Sequence, residues 1–311
     1  MRYKRLERAG VEISSLAAGT WAAGGEGWGE SSTDSSIQAI RRMFDLGVNI
    51  IDTAPAYGAG KSEEIVGKAL KGYREKVMVS TKFGLDSERE WAENGSYDFV
   101  IRECENSLRR MEIDTIDFYF MHWPDVNTPL EETMDALNTL KKEGKIRFIG
   151  VSNFNREQIE EADKYGRIDV IQPPYSMVDR REENLMKWAK EKGIDSFTYG
   201  SLGAGILTGA VRELPNFGED DYRKEFYDFY CEPKFSKIME LLKILDVIAE
   251  SHNRPVSQVA LNWSTQKEYV GTALCGVRKV KNAKENCSAF EWMLSDEEIT
   301  LINAGIEKLG L

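Results

Sequence analysis

Closely spaced cysteines are missing from this sequence of 311 residues. Its four cysteines are scattered along the chain and form no CxxC pair: Cys104, Cys231, Cys275 and Cys287. Zinc sites and disulfide frameworks depend on cysteines at short, characteristic spacings. The sequence therefore predicts no metal site and no disulfide framework, and we expect reduced thiols, most of them buried.

An excess of basic residues is also missing. The chain has 41 lysines and arginines against 52 aspartates and glutamates, which gives a formal net charge of −11. This charge opposes long-range attraction to nucleic acid and to anionic membrane surfaces. We therefore expect no nucleic-acid or membrane partner, and the basic residues that bind any anionic ligand must be concentrated locally.

Long apolar runs and linkers are absent as well. The opening segment MRYKRLERAGVEISSL has no apolar stretch of the signal-peptide kind, and no stretch approaches the roughly 20 apolar residues of a membrane span. A cytoplasmic location is therefore expected. No Pro/Gly/Ser-rich linker or low-complexity tract interrupts the chain, so we expect one domain over residues 1–311.

Short apolar runs alternate with longer segments of helical period, which is typical of βαβ units and a parallel sheet. Eight such runs are present, at about 13–18, 48–52, 77–82, 116–122, 146–152, 170–172, 194–199 and 270–274. Eight strands suit barrel closure. We predict an α/β fold, a single (β/α)₈ TIM barrel with an N-terminal β-hairpin and a long loop after the seventh strand.

Two helix starts are marked by their sequence. Thr128 precedes Pro129, with Glu131 three residues on, and this order predicts a helix capped by the threonine. Ser295 and Glu298 predict a second capped start near the C-terminus.

Residues 200–233, after the seventh strand, are too many for an ordinary connection. The segment contains the aromatic residues Phe217, Tyr222, Phe226, Tyr227, Phe229 and Tyr230. It is interpreted either as a lid over the site or as a short extra helix packed by these aromatics, and the sequence leaves both open.

Polar residues end several of the predicted strands: Asp52, Lys82, His122, Ser152 with Asn153, and Gln172. In a (β/α)₈ barrel these C-terminal strand ends form the active-site mouth. Taken singly, each residue is more often a solvated charge or a structural group. Ionisable groups at the ends of apolar strands nevertheless indicate a functional site.

Three segments resemble signatures of the aldo-keto reductase family, in its bacterial and potassium-channel-beta-like branch. They are GVNIIDTAPAYG at 47–58, MHWP at 121–124 and GKIRFIGVSNF at 144–154. The resemblance extends from about Tyr3 to the last helix. It implies a catalytic tetrad of Asp52, Tyr57, Lys82 and His122, and none of the four is substituted.

Elementary chemistry agrees with the roles that the resemblance implies. A phenol with a pKa of about 10 is a poor proton donor at neutral pH, and a nearby ammonium brings that pKa closer to the working range. Lys82 would tune Tyr57 in this way, with Asp52 as the counter-ion of the lysine. His122 would orient and polarise a substrate carbonyl.

The resemblance also implies a nicotinamide cofactor, NADP(H) by preference, with NAD(H) as the alternative. Ser152, Asn153 and Gln172 would hold the carboxamide of the nicotinamide. Tyr199 would stack on the ring, although an ordinary core aromatic is the alternative. The full set of implied cofactor residues is Gly19, Thr20, Trp21, Asp52, Ser152, Asn153, Gln172, Tyr199, Gly200, Ser201, Leu202, Gly203, Gly205, Gly276, Val277, Arg278, Asn282, Glu285 and Asn286.

Glycines after Tyr199 replace the Ser-Pro-Leu that is common in the family. Glycine-rich backbone can approach a pyrophosphate closely, and its N–H groups can surround an anion. The glycines at 24–27 precede no matching helix start, which argues against a Rossmann domain. Arg278 is the natural partner for the 2′-phosphate of NADP(H), with Lys279 as a weaker candidate.

We expect the loops after the strands to form the substrate pocket, with Tyr57 and His122 beside the reacting carbonyl. Trp28, Trp91 and Trp123 are expected to line its pocket, with Tyr175 as a further member of an aromatic wall. Such a wall suits sugars and aryl aldehydes alike. The expected reaction is hydride transfer between nicotinamide and an aldehyde, ketone or sugar carbonyl, or the reverse.

Two other functions stay open on the sequence. One is a non-catalytic NADP(H)-binding regulatory subunit, because the potassium-channel beta subunits share this barrel and retain the tetrad. The other is a barrel hydrolase or isomerase that uses Asp52 and His122. It leaves Tyr57, Lys82 and Arg278 unexplained.

Overall fold

The computed structural model describes residues 1–25, 32–217 and 223–311. Trp28 and Tyr222 lie outside the described residues. The strands are β1 (Tyr3–Arg5), β2 (Glu12–Ser14), β3 (Leu16–Gly19), β4 (Ile50–Asp52), β5 (Met78–Phe83), β6 (Leu85–Asp86), β7 (Ala92–Glu93), β8 (Ile116–Met121), β9 (Ile146–Ser152), β10 (Val170–Gln172), β11 (Asp195–Thr198) and β12 (Thr272–Gly276).

Eight of these strands form a closed parallel barrel in the order β10-β11-β12-β3-β4-β5-β8-β9. The helices are α1 (Thr33–Asp45), α2 (Lys61–Leu70), α3 (Tyr97–Met111), α4 (Leu130–Lys142), α5 (Arg156–Tyr165), α6 (Glu183–Glu191), α7 (Arg223–Phe226), α8 (Lys234–Ser251), α9 (Val256–Thr265), α10 (Val280–Ser288) and α11 (Asp296–Leu309). Helices connect consecutive barrel strands. The predicted (β/α)₈ TIM barrel is confirmed.

The N-terminal hairpin, β1 with β2, lies at the N-terminal ends of the barrel strands. Tyr3 pairs with Ser14 in its antiparallel register. The Nζ of Lys4 donates to the carbonyl oxygens of Thr265 and Val270, at 2.7 and 2.6 Å, just before β12 begins. The hairpin therefore covers the end of the barrel opposite the predicted mouth.

Aromatic side chains fill the barrel interior. Phe118 packs against Phe148 and Phe197, with ring centroids 5.0 and 4.9 Å apart. Gly150 makes room for the ring of Phe120, because a Cβ at this glycine would lie 2.4 Å from that ring. Phe120 is paired in register with Lys82, so this apolar filling reaches the level of the predicted site.

The predicted helix caps have different outcomes. Ser295 and Glu298 form the expected capping box at α11. The threonine cap at α4 is wrong, because the Thr128 hydroxyl donates to Asp125 Oδ2 at 2.6 Å and Pro129 occupies the N-cap position. A capping hydroxyl accepts from the unpaired N–H groups of the first helical turn, whereas the Thr128 hydroxyl donates to a carboxylate, which is a strong acceptor.

The long segment after β11 contains a 3₁₀ turn (Gly203–Thr208), helix α7 and another 3₁₀ turn (Asp228–Tyr230). Phe217 packs edge-on against Tyr230 at 4.9 Å, and Tyr227 stacks on Phe229 at 5.3 Å. The structure therefore contains the short helix and aromatic packing of the second interpretation. Whether the segment closes as a lid stays a prediction.

Three cysteines are buried thiols, and Cys231 is exposed. In the part of the chain that the structure describes, no cluster of side chains is suited to hold a metal ion. Among the helices described, none has the length and apolar character required to span a membrane.

Candidate active site

A buried ion pair lies at the C-terminal end of the barrel. Lys82 Nζ is 2.7 Å from Asp52 Oδ2 and donates to the carbonyl oxygen of Thr53 at 2.8 Å. The two side chains are 1% and 3% exposed. Burial lowers the pKa of Lys82, but Asp52 and Tyr57 together raise it by more. The lysine is therefore held as an ammonium.

The other carboxylate oxygen of Asp52 accepts from two neutral donors. The hydroxyl of Ser80 is 2.5 Å from Asp52 Oδ1, and the amide nitrogen Nε2 of Gln172 is 2.9 Å from the same atom. A buried carboxylate is tolerated when its charge and its lone pairs are satisfied in this way. The structure therefore turns the Gln172 amide nitrogen toward Asp52.

Tyr57 follows β4 on a tight turn into α2. Lys82 Nζ lies 4.9 Å from the centre of its ring. Gly58 has φ +66°, and a Cβ there would lie 2.4 Å from the carbonyl oxygen of Gly24. The close approach of two backbone segments therefore fixes the turn that carries Tyr57 and requires glycine.

The pKa of Tyr57 differs from the sequence expectation. Burial raises it, and Asp52 adds to this rise. Lys82 lowers the pKa, as expected, but does not outweigh burial. The net direction is upward, so the phenol is protonated at neutral pH.

His122 follows β8 and presents its ring to Tyr57, with centroids 6.0 Å apart and planes 82° apart. Burial lowers the pKa of this imidazole well below its usual value, and the charge of Lys82 lowers it further. The ring is therefore neutral at neutral pH. Its backbone is held on both sides, by Phe83 and by the Asn153 side chain.

The predicted carboxamide residues lie along one edge of the mouth. Asn153 donates from Nδ2 to the carbonyl of His122 at 2.9 Å and accepts from the Tyr199 hydroxyl at 2.9 Å. Its φ of +61° is one that asparagine adopts more readily than most residues. Ser152 donates to the carbonyl of Gln172 at 2.8 Å. These contacts connect Tyr199 to the tetrad residues.

The end of β3 forms the opposite edge. The backbone N–H and hydroxyl of Thr20 both donate to the carbonyl of Asp52, at 3.1 and 2.9 Å, and this side chain is buried. Trp21 stacks on Tyr57 with centroids 6.1 Å apart. Phe226, from the long segment, meets Trp21 edge-on at 6.3 Å. An aromatic surface therefore adjoins Tyr57.

The predicted pyrophosphate segment has an open, glycine-lined backbone. Gly200, Gly203, Ala204 and Gly205 all have positive φ, and a Cβ at Gly200 or Gly205 would meet nothing within 4 Å. The neighbouring Leu202 is half-buried, and Ser201 is buried, with its hydroxyl donating to the Thr198 carbonyl at 3.2 Å. Successive turns of this kind create concavities for anions.

The predicted adenosine segment begins at β12. Gly276 is exposed and has open space at its Cβ position, whereas Val277 is buried. Arg278 is half-buried just before α10, and its backbone carbonyl accepts from the Ser35 hydroxyl at 2.7 Å. Asn282 is exposed in the first turn of this helix.

Two residues of this segment are engaged by the protein itself. Glu285 accepts from the Ser257 hydroxyl at 2.8 Å, and the amide of buried Asn286 lies 3.1 Å from the sulfur of Cys275. Their predicted contacts with a cofactor would have to coexist with these bonds or replace them.

The predicted substrate residues are not all brought together. Trp123 is exposed beside His122. Trp91 lines a groove of about 110 Å³ with Leu85 and Phe99, and no tetrad residue lines that groove. The wall prediction for Tyr175 is wrong, because this residue is 1% exposed and stacks on Trp263 at 5.5 Å.

Sequence reasoning missed Ser80 and did not single out Phe226 among the aromatic residues of the long segment. Ser80 precedes Lys82 by two residues on a strand, so the two side chains point the same way. That alternation could have identified it. Phe226 lies in the long segment, where no periodic signal fixes which aromatic faces the mouth.

The match to the family model described as "Aldo/keto reductase family" covers residues 15–307. The chain belongs to this family. Relatives include the aldo-keto reductase YhdN of Bacillus subtilis, 38% identical over 99% of this chain and 94% of the relative. The NADH-specific methylglyoxal reductase of Escherichia coli is 34% identical over 96% of each chain.

A solved structure is similar over nearly the whole length. The glycerol dehydrogenase AKR11B4 from Gluconobacter oxydans has a TM-score of 0.88 and 34% identity, over 99% of this chain and 95% of its own. This aldo/keto reductase is therefore an oxidoreductase of a family of NAD(P)H-dependent carbonyl reductases. The family resemblance found in the sequence is confirmed.

Proposed function

We propose that the protein is an NADP(H)-dependent reductase that transfers hydride, reversibly, between nicotinamide and an aldehyde, ketone or sugar carbonyl. Tyr57 is its general acid in reduction and its general base in oxidation. One catalytic domain spans residues 1–311 and acts in the cytoplasm. The observation that carries the proposal is the convergence of Tyr57, His122 and the buried Asp52–Lys82 pair at the barrel mouth.

The side chains have separate tasks in this reaction. The cofactor, when bound, supplies the hydride. Tyr57, a phenol that stays protonated at neutral pH, donates its proton to the carbonyl oxygen. The ammonium of Lys82 stabilises the phenolate that remains. The neutral ring of His122 donates a hydrogen bond to the same oxygen and polarises it.

Several features fit a dinucleotide. The open glycine backbone at Gly200, Gly205 and Gly276 offers room for phosphate groups beside the mouth. Tyr199, held by Asn153, would stack on the nicotinamide. Asp52 accepts only, so it draws the Gln172 amide nitrogen and leaves the amide oxygen to receive the carboxamide N–H.

Arg278 is proposed to select NADP(H), because the 2′-phosphate distinguishes the two nicotinamide nucleotides and a guanidinium grips it bidentately. Arg278→Ala is expected to weaken NADPH binding by about 10- to 100-fold, the equivalent of roughly 1.5–3 kcal/mol, and to leave NADH binding unchanged. Dissociation constants for both cofactors test this.

Lys284→Ala is the matched control, since it removes one exposed positive charge from α10 and should affect neither cofactor. Equal losses for NADPH and NADH in Arg278→Ala, or a wild-type preference for NADH, would refute the assignment. The NADH-specific relative makes that last comparison the first to perform.

The reaction itself is tested by following reduced nicotinamide in absorbance. Purified protein is mixed with NADPH and aldehydes, ketones or sugars, and with NADP⁺ and polyols. Quenching of the seven tryptophans reports cofactor binding separately. Cofactor binding without turnover across the whole panel would refute the enzymatic proposal and favour a non-catalytic cofactor-binding subunit.

A further inference from the structure

Ser80 is a buried serine on β5, and the resemblance gives it no role. Its hydroxyl lies 2.5 Å from Asp52 Oδ1, and its side chain has no solvent exposure. The carboxylate is an acceptor, so the serine must donate. This bond leaves Oδ2 of Asp52 facing Lys82.

A backbone hydrogen bond also links Ser80 to the groups that surround the Lys82 ammonium. The Ser80 carbonyl oxygen accepts from the N–H of Thr53 at 2.9 Å. The carbonyl of Thr53 in turn accepts from Lys82. Two acceptors of the ammonium, Asp52 Oδ2 and the Thr53 carbonyl, therefore belong to residues that Ser80 holds in place.

Strand alternation separates Ser80 from its neighbour Thr81. The Thr81 hydroxyl donates to Glu63 at 2.6 Å, on the helix side of β5. Ser80 and Lys82 point to the barrel interior. The two adjacent hydroxyls are both buried, but that of Ser80 binds Asp52 and that of Thr81 binds Glu63. Thr81 is therefore a matched control for Ser80.

We infer that Ser80 is a positioning residue that sets the acidity of Tyr57 by fixing and partly neutralising the Asp52 carboxylate. A hydrogen-bond donor spreads the charge of a carboxylate. Asp52 raises the pKa of both Lys82 and Tyr57, so removal of the Ser80 donor strengthens both effects. We therefore expect the pKa values of both groups to be higher in the absence of this donor.

The inference rests on the proposed function for its kinetic consequence. In Ser80→Ala, the basic limb of the pH profile of kcat for carbonyl reduction is expected to move upward by roughly half to one pH unit. Tyr57 becomes a weaker acid, so kcat falls by about two- to tenfold. KM and the cofactor dissociation constant stay within about twofold, because Ser80 is buried behind Asp52.

A spectroscopic titration measures the same effect without turnover. The tyrosinate absorbance of a protein containing Tyr57, minus that of its Tyr57→Phe variant, isolates one of the twelve tyrosines. This difference is recorded with Ser80 and with Ser80→Ala. The titration of Tyr57 should shift to higher pH in the second background.

Thr81→Val is the control, because it removes an equally buried hydroxyl from the same strand and leaves Asp52 untouched. Thr81→Val should change neither the basic limb of the pH profile of kcat nor the tyrosinate titration of Tyr57. Equal shifts in Thr81→Val and Ser80→Ala would overturn the inference, since the effect would then be a general loss of packing. If Ser80→Ala does not fold, Ser80→Cys, a weaker donor, should give a smaller upward shift.

The outcomes separate the two proposals. An unshifted Tyr57 titration in Ser80→Ala overturns the role of Ser80 even where Tyr57→Phe abolishes turnover and so supports the proposed function. A shifted Tyr57 titration in a protein that reduces no carbonyl supports the positioning role of Ser80 and refutes the proposed function.

Discussion

Tyr57→Phe is expected to lower turnover by at least about 100-fold and to leave the cofactor dissociation constant within about twofold. The substitution removes the proton donor and keeps the ring that stacks on Trp21. Lys82 retains Asp52 and Thr53 as acceptors, so its charge stays paired. Single-turnover reduction measures the chemical step, and tryptophan quenching measures binding.

Tyr73→Phe is the control for this experiment. The Tyr73 hydroxyl donates to Asp45 at 2.8 Å, near the surface and away from the tetrad, and its removal should leave turnover unchanged. A Tyr57→Phe enzyme with more than about a tenth of wild-type turnover would show that another group donates the proton.

The barrel could be predicted because its signal is local. Each buried parallel strand is an apolar run, and each run ends close to where the structure ends it. The first run, 13–18, was predicted as one strand but contains the end of β2 and most of β3. This division depends on the pairing of Tyr3 with Ser14, which no local pattern specifies.

The tetrad positions could be predicted for a similar reason, since parallel strands carry their ends to one mouth. Their partners could not. The bond from Gln172 to Asp52 joins residues 120 apart in sequence. Tyr175 follows a strand end but turns into the core, where its ring stacks on Trp263 and its hydroxyl is hydrogen-bonded to that of Tyr269.

The acidity of Tyr57 shows what residue identity leaves out. Reasoning from residue types counted the lowering effect of Lys82 on the phenol. It did not count the loss of solvent around the ring, which is the larger effect. Burial depends on how Trp21 and the long segment pack over the mouth. That packing joins segments that are distant in sequence, so residue types alone could not predict the upward pKa shift of Tyr57.

Lys82→Met is expected to abolish measurable turnover, with a loss of at least about 100-fold, and also to lower the free energy of unfolding by roughly 3–5 kcal/mol. The methionine leaves Asp52 as a buried charge with Ser80 and Gln172 as neutral donors only. The pKa of Lys82 is raised in the fold, so its contribution is fully present at pH 7. It would be lost only as the pH rises through the raised value.

A double substitution separates stability from chemistry. In Lys82→Met with Asp52→Asn, the buried charge is gone, so we expect urea unfolding at pH 7 to recover most of the stability lost in Lys82→Met. Turnover should stay as low as in the single variant, because no ammonium stabilises the phenolate of Tyr57. Asp52→Asn alone should shift the pH dependence of its residual activity, since the lysine has lost its counter-ion. An unchanged pH dependence in Asp52→Asn would contradict the counter-ion role. A double variant that regained turnover along with stability would show that Lys82 serves the fold and not the proton transfer.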